Sequence, residues 1–391
     1  MLGFDDLGDL GRDRHGKIAY IGIAVQPVCL EESAMSGSRF PRAPQPQRQP
    51  IRGWHLVGLL AASAGIYLMG QYYWLRKTYT EGEQAYTAAN CQVAIAEFDW
   101  VINKGEQFVD FNDYIARARA KKAECQAFQD VVEEQKTATP EAVLVAYEEF
   151  VSRYPSGALG QPIRQKTASL FEEAGIEALA QPSACERIDK LVENQLIPEP
   201  NQNSPSFYQA CGQMYSKGND YTNAVKMYEG FLENYPQHQL ASEVELALAK
   251  SMVAEAKAQG AGKIERPGVS GWTVSGTTVV EIRNDSPEDM RIVFSGSEPR
   301  FEELERCEDC QKYMGTGPES CPAKGPVGRY TLKPGQYDVV VKSISDGGVR
   351  PFTGNWVLDG GTEYNSCFFI VQQPGTEFEE QQERSQDLPD G

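Results

Sequence analysis

Residues 208–236 read YQACGQMYSKGNDYTNAVKMYEGFLENYP, and the fold turns on them. Large side chains stand at Tyr208, Tyr215, Tyr228 and Phe231, and small ones at Cys211, Gly212 and Ala224. The spacing predicts two antiparallel helices, the first from about Ser206 to Lys217. Gly212 and Ala224 let the helices approach. Tyr215, Tyr228 and Phe231 fill the space between successive hairpins, and Pro236 ends the second helix because it cannot continue the ladder.

In register, these residues take the small and large positions of a 34-residue helical repeat, and the segment resembles the tetratricopeptide family. Two weaker copies precede it. One holds Gly82, Ala94, Phe98 and Val101; the other holds Val143, Tyr147, Phe150 and Pro155, ending in SRYP where the strong copy ends in ENYP. A degenerate copy is read around Ala184, Ile188 and Leu191, and a capping helix from Ala241 to Ala258. The resemblance implies an α-solenoid over 78–259, no catalysis, and a groove for peptide or protein ligands lined by first helices. Its ligand-binding stripe would be Gln209, Gln213 and Ser216, with Tyr208, Gly212, Tyr215, Ala224, Tyr228, Phe231 and Pro236 holding the repeat. A spacer with no ligand is the plain alternative.

Cysteines fit paired helices. Cys91 and Cys125 lie equidistant from the turn KGEQFVDFND, and Cys185 and Cys211 from the loop IPEPNQNSPS, so each pair is placed to bridge adjacent helices. The alternative is four small buried residues at helix contacts.

Beyond GAGKIERPGVSG, read as a linker, the period changes to two. Val280 and Ile282, Ile292 and Phe294, Tyr330 and Leu332, then Tyr337, Val339 and Val341 each line one face of a strand, separated by turn signals such as Asn284-Asp-Ser-Pro287. This predicts a β-sandwich over 270–373. The run YTLKPGQYDVVVKS resembles the hairpin of PEGA-like and carboxypeptidase-regulatory-like modules. Four cysteines here, Cys307, Cys310, Cys321 and Cys367, leave two disulfides, a zinc site and a redox-active Cys307/Cys310 pair all open. Thiol reactivity is disfavoured by the flanking Glu302, Glu303, Glu305, Glu308 and Asp309, which raise a thiol's pKa.

Upstream, residues 53–75 carry no Asp, Glu, Lys or Arg and end in Tyr72-Tyr73-Trp74. Residues 54–75 read as a single transmembrane helix in contact with the lipid bilayer, and the run of Arg39, Arg42, Arg48 and Arg52 before it predicts a cytoplasmic N-terminus and an extracytoplasmic bulk, in a periplasm or equivalent lumen. Residues 1–53 read as a disordered Pro/Arg-rich region in which Met35 looks like a start, and 374–391 as a disordered acidic tail.

Composition removes other functions. A net charge of −18 excludes nucleic acid as the main partner. Of the three histidines, His15 and His55 precede or enter the apolar segment, which leaves His238 alone for any triad or metal site. Gly260-Ala-Gly-Lys263 lacks the remainder of a phosphate-binding loop. The expected protein is therefore an α+β multidomain chain: a membrane-anchored, non-catalytic scaffold or chaperone-like binder of proteins, with no cofactor. Its alternatives are a thiol–disulfide oxidoreductase using Cys307 and Cys310, and a glycan-binding sandwich presenting Trp272 and Trp356.

Overall fold

This computed structural model describes residues 53–105, 113–345 and 348–372. The N-terminal region before Gly53 with its Met35 start, most of the 104–113 turn and the acidic tail lie outside the described residues. The chain divides into two compact units, 1–61 and 62–391. Of the first, only the beginning of helix α1 (Gly53–Thr87) is described.

Among the described residues no helix is long and apolar enough to cross a membrane. This corrects the transmembrane reading of 54–75, and with it the bilayer contact and the single-pass topology. The segment is not a separate element. Glycines, Ser63 and Gln71 dilute its apolar residues, and the helix runs on through Arg76-Lys77 into the body of the protein. Leu75, expected at the end of a span, is fully buried in the helical core with Tyr79 and Tyr86. Residues 62–70 of the same helix are exposed, among them Ile66, Tyr67 and Met69.

Among the described residues ten helices follow: α2 (Cys91–Gly105), α3 (Tyr114–Glu134), α4 (Pro140–Arg153), α5 (Gly160–Ala174), α6 (Ile176–Leu179), α7 (Pro182–Cys185), α8 (Ile188–Glu193), α9 (Pro200–Lys217), α10 (Tyr221–Asn234) and α11 (Ala241–Ala258). Gly82 of α1 lies under the Phe98 ring of α2, and Gly212 of α9 lies under the Tyr228 ring of α10. In both hairpins a small residue admits a ring that any Cβ would push away. Asp220 caps α10, its carboxylate accepting from the Asn223 amide at 3.2 Å.

A regular solenoid is not formed. Between α5 and α9, where a degenerate copy of the repeat was expected, the chain makes two four-residue helices and one of six residues. The sequence explains the break. Gly175 takes φ 76°, Pro182 begins α7, and Gln195 and Glu199 are left-handed before Pro200 opens α9. Ala184, Ile188 and Leu191 are buried all the same.

The strands form two facing sheets. One has the order β1 (Gly262–Lys263), β9 (Phe352–Leu358), β8 (Gly335–Ser343), β4 (Met290–Ser295), β5 (Arg300–Leu304). The other has the order β2 (Gly268–Trp272), β10 (Thr362–Phe368), β3 (Thr278–Asn284), β7 (Val327–Leu332). A two-residue pair, β6 (Tyr313–Met314) with β11 (Val371–Gln372), lies apart. Val280, Ile282, Ile292, Phe294, Tyr330, Leu332, Tyr337, Val339 and Val341 are all buried in one core between the sheets. Half of the expected linker is strand: β1 pairs in parallel with β9, β2 begins at Gly268, and Ile264 joins the core.

The five-stranded sheet buries the centre of its other face too. Val293 and Val340 are 0% exposed and belong to the helical core, against which α11 packs. α11 therefore has a partner, and it is a sheet. Around this seam Arg291 pairs with Glu229 at 3.1 Å and with Glu303 at 2.7 Å, and Lys342 with Glu255 at 3.6 Å. We expect Val340→Asp to place an unsatisfied carboxylate in the seam and to cost at least ~1–3 kcal/mol. Calorimetry should show helical and strand regions destabilised together; a loss confined to the strands would contradict a shared core.

Candidate functional site

Helix α9 is consumed on most of its circumference. The Tyr208 hydroxyl donates to Asp189 Oδ1 at 2.8 Å, and its ring lies against Gly230. Burial first, and then Asp189, raise the Tyr208 pKa, so this hydroxyl keeps its proton. The Tyr215 hydroxyl donates to the Pro182 carbonyl at 3.4 Å. Cys211 is bonded to Cys185, the last residue of α7, with Cα atoms 5.7 Å apart. Ala224, Tyr228 and Phe231 are buried, and Pro236 follows the end of α10.

The proposed stripe divides. Gln213 is exposed and Gln209 half-buried, and neither side chain hydrogen-bonds another described residue. Ser216 is different. Its Oγ lies 3.2 Å from Ser251 Oγ on α11, and it opposes the rise that burial imposes on the Tyr228 pKa by hydrogen-bonding that hydroxyl. Ser216 is thus occupied by packing against α11, leaving Gln209 and Gln213 as the polar pair.

The second helical disulfide, Cys91–Cys125, ties α2 to α3 with Cα atoms 5.1 Å apart. Beside it an open cleft of about 560 Å³ is lined by Asn90, Gln92, Phe128, Asp130 and Glu133. On α2, Val93 and Trp100 also face solvent. Nucleophile and base are not paired in this cleft.

The other four cysteines stand at one end of the sandwich. Cys307 is bonded to Cys310 and Cys321 to Cys367. Cys307, Cys310 and Cys321 belong to the connection from β5 to β7, residues 305–326, whose only strand is β6, and the second bridge ties that connection to Cys367 on β10. A polar knot that the sequence did not announce organises this connection. The Asn284 amide is shared among the carbonyls of Glu288, Leu304 and Glu305, while its oxygen accepts from Ser286. Asp285 is fully buried, and its carboxylate accepts the backbone N–H groups of Ala323, Lys324 and Gly325. The only advance signal was the turn signature Asn284-Asp-Ser-Pro287, which explains the reversal but not the cage.

This arrangement lacks the helix N-terminus that activates a redox thiol. Cys307 lies in a turn closed by the Cys310 amide on the Cys307 carbonyl, not at a helix N-terminus, and acidic residues flank it. Nor do the four sulfurs converge. Among the described residues no three His, Cys, Asp or Glu side chains meet as metal ligands. The glycan-binding face is not assembled either. Trp272 is exposed, but Trp356 is 0% exposed in the sandwich core, its indole N–H donating to the Glu265 carbonyl at 3.0 Å. No protein-family model matches the chain, and no curated protein matches it.

Glu288 closes the knot. Burial alone would raise its pKa, but hydrogen bonds from Lys312, Ser343 and Ser345 outweigh it, and the carboxyl is held below its usual range. A depressed folded pKa contributes stability above the unfolded value of about 4.3, and that stability is lost as pH falls through the folded value. We expect Glu288→Gln to lower the melting temperature at neutral pH. The difference from wild type should shrink as pH falls below about 4.3; a gap that stays constant under acid would assign the loss to packing instead.

Proposed function

We propose that this is a non-catalytic protein-binding module that works in an oxidising compartment. The observation that carries the reading is the Gln209–Gln213 pair. It is left unengaged on a helix whose other faces are fixed by Tyr208, Cys211, Gly212 and Tyr215. A polar pair on a helix that does not move can bond the backbone of an extended segment without first paying to order itself. The tetratricopeptide resemblance of residues 208–236 supports a peptide or protein ligand, since that family usually binds such partners. Two further features fit. The four disulfides suit an oxidising environment, because a reducing cytosol keeps thiols free. The acidic balance of −18 favours partners with a basic or neutral contact surface.

The test uses the whole chain as bait under oxidising conditions, with cross-linking to capture partners. Gln209→Ala combined with Gln213→Ala should weaken capture of the partner that wild type captures, with the melting temperature unchanged. Tyr228→Ala should instead remove a buried ring at ~3–5 kcal/mol and unfold the α9–α10 hairpin. Undiminished capture by the double variant would move recognition away from this face.

A further inference from the structure

The four disulfides differ in access. Cys125, Cys185 and Cys211 are 0% exposed and Cys91 is 4% exposed, all within the helical core. Cys321 is exposed and Cys367 half-buried. Cys307 is 4% exposed and its partner Cys310 half-buried, so Cys321 is the one exposed cysteine among the four bridges. An attacking thiolate needs a line to one sulfur, and Cys321 offers the most open target without unfolding. The surroundings of Cys367 add a second observation. It is paired in parallel register with Arg283 on β3, which puts the two side chains on the same face of that sheet. Among the described residues Arg283 makes no ion pair. A guanidinium beside a sulfur favours its thiolate and makes that sulfur the better leaving group.

We propose that Cys321–Cys367 is a redox-sensitive latch on the 305–326 connection, opened by a dithiol reductant while the helical bridges stay closed. A thiolate of the reductant attacks Sγ of Cys321, forming a mixed disulfide as the Cys321–Cys367 bond breaks. The electron pair leaves on Cys367 beside Arg283, and the thiolate takes a proton from water. The second thiol of the reductant then attacks its own sulfur in the mixed disulfide. It departs as a cyclic disulfide and leaves Cys321 as a thiol. The protein gains two electrons and two protons, and the reductant loses them. No bridge then ties the connection to β10, and residues 323–325 are held by the hydrogen bonds of Ala323, Lys324 and Gly325 to Asp285.

The experiment titrates the folded full chain with dithiothreitol, alkylates the free thiols and maps them, following backbone hydrogen exchange in parallel. The expected result is labelling of Cys321 and Cys367 before any of Cys91, Cys125, Cys185 and Cys211. Amide protection should be lost at 323–325 and kept in α9–α11. Arg283→Gln should slow that first reduction without altering the order in which the bridges open. Simultaneous opening of all four bridges would overturn the latch, and so would unchanged protection at 323–325 after Cys321 and Cys367 are labelled. If Arg283→Gln left the first rate unchanged, the assigned leaving group would be wrong.

Discussion

The centre of the five-stranded sheet, at β4 and β8, is covered on both faces, and the arrangement of the molecule depends on that. Ile292, Phe294, Val339 and Val341 fill the space between the sheets, while Val293 and Val340 on the same strands enter the helical core. A sheet buried on both sides must read as a nearly continuous apolar run, which is what Val339-Val340-Val341 and Ile292-Val293-Phe294 are. The consequence is a shared core. α11 is covered by strands where a solenoid would place another helix, and the helices and strands cannot reorient without exposing these valines. The charged rim of Arg291, Glu229, Lys342 and Glu255 is exposed or half-buried; it sets register more than it adds stability.

Rigidity elsewhere comes from two different sources. In the helical region it is steric and covalent: rings over Gly82 and Gly212, and bridges from α2 to α3 and from α7 to α9. At the far end of the sandwich it is polar, because the connection there has few apolar residues to bury. Asn284 and Asp285 take the place of a hydrophobic core by meeting backbone groups that would otherwise be unsatisfied.

The sequence was informative where local spacing decides the outcome. The small and large residues of 208–236 and the alternation at Val280 and Ile282 describe contacts between neighbours in the chain. It was misleading where composition had to stand for environment. The apolar stretch from residue 54 is part of a longer helix whose later turns, from Leu75 onward, are core. It was silent where the contact is distant. Ser216 cannot reveal Ser251, 35 residues away, and Val340 cannot reveal which layer will cover it. The glycan-binding alternative required an exposed Trp356, and nothing in its own strand gives the position of Glu265, whose carbonyl holds the indole inside. The irregular stretch from α6 to α8 was marked by Gly175, Pro182 and Pro200, but the expectation of a repeat overrode those signals.

The Cys321–Cys367 bridge spans 46 residues and makes a covalent ring of the chain that contains β7, β8, β9 and most of β10. Mechanical tension applied along the backbone from outside would cross from one sulfur to the other and bypass everything between. Two strands of each main sheet would carry no load while the ring is closed. The strands outside it that pair with ring strands, β1, β2, β3 and β4, would have to slide against an inextensible neighbour. The bond therefore sets how much of the chain can be drawn out as slack, and it hides the hairpin of β8 and β9 from any force that pulls on the ends.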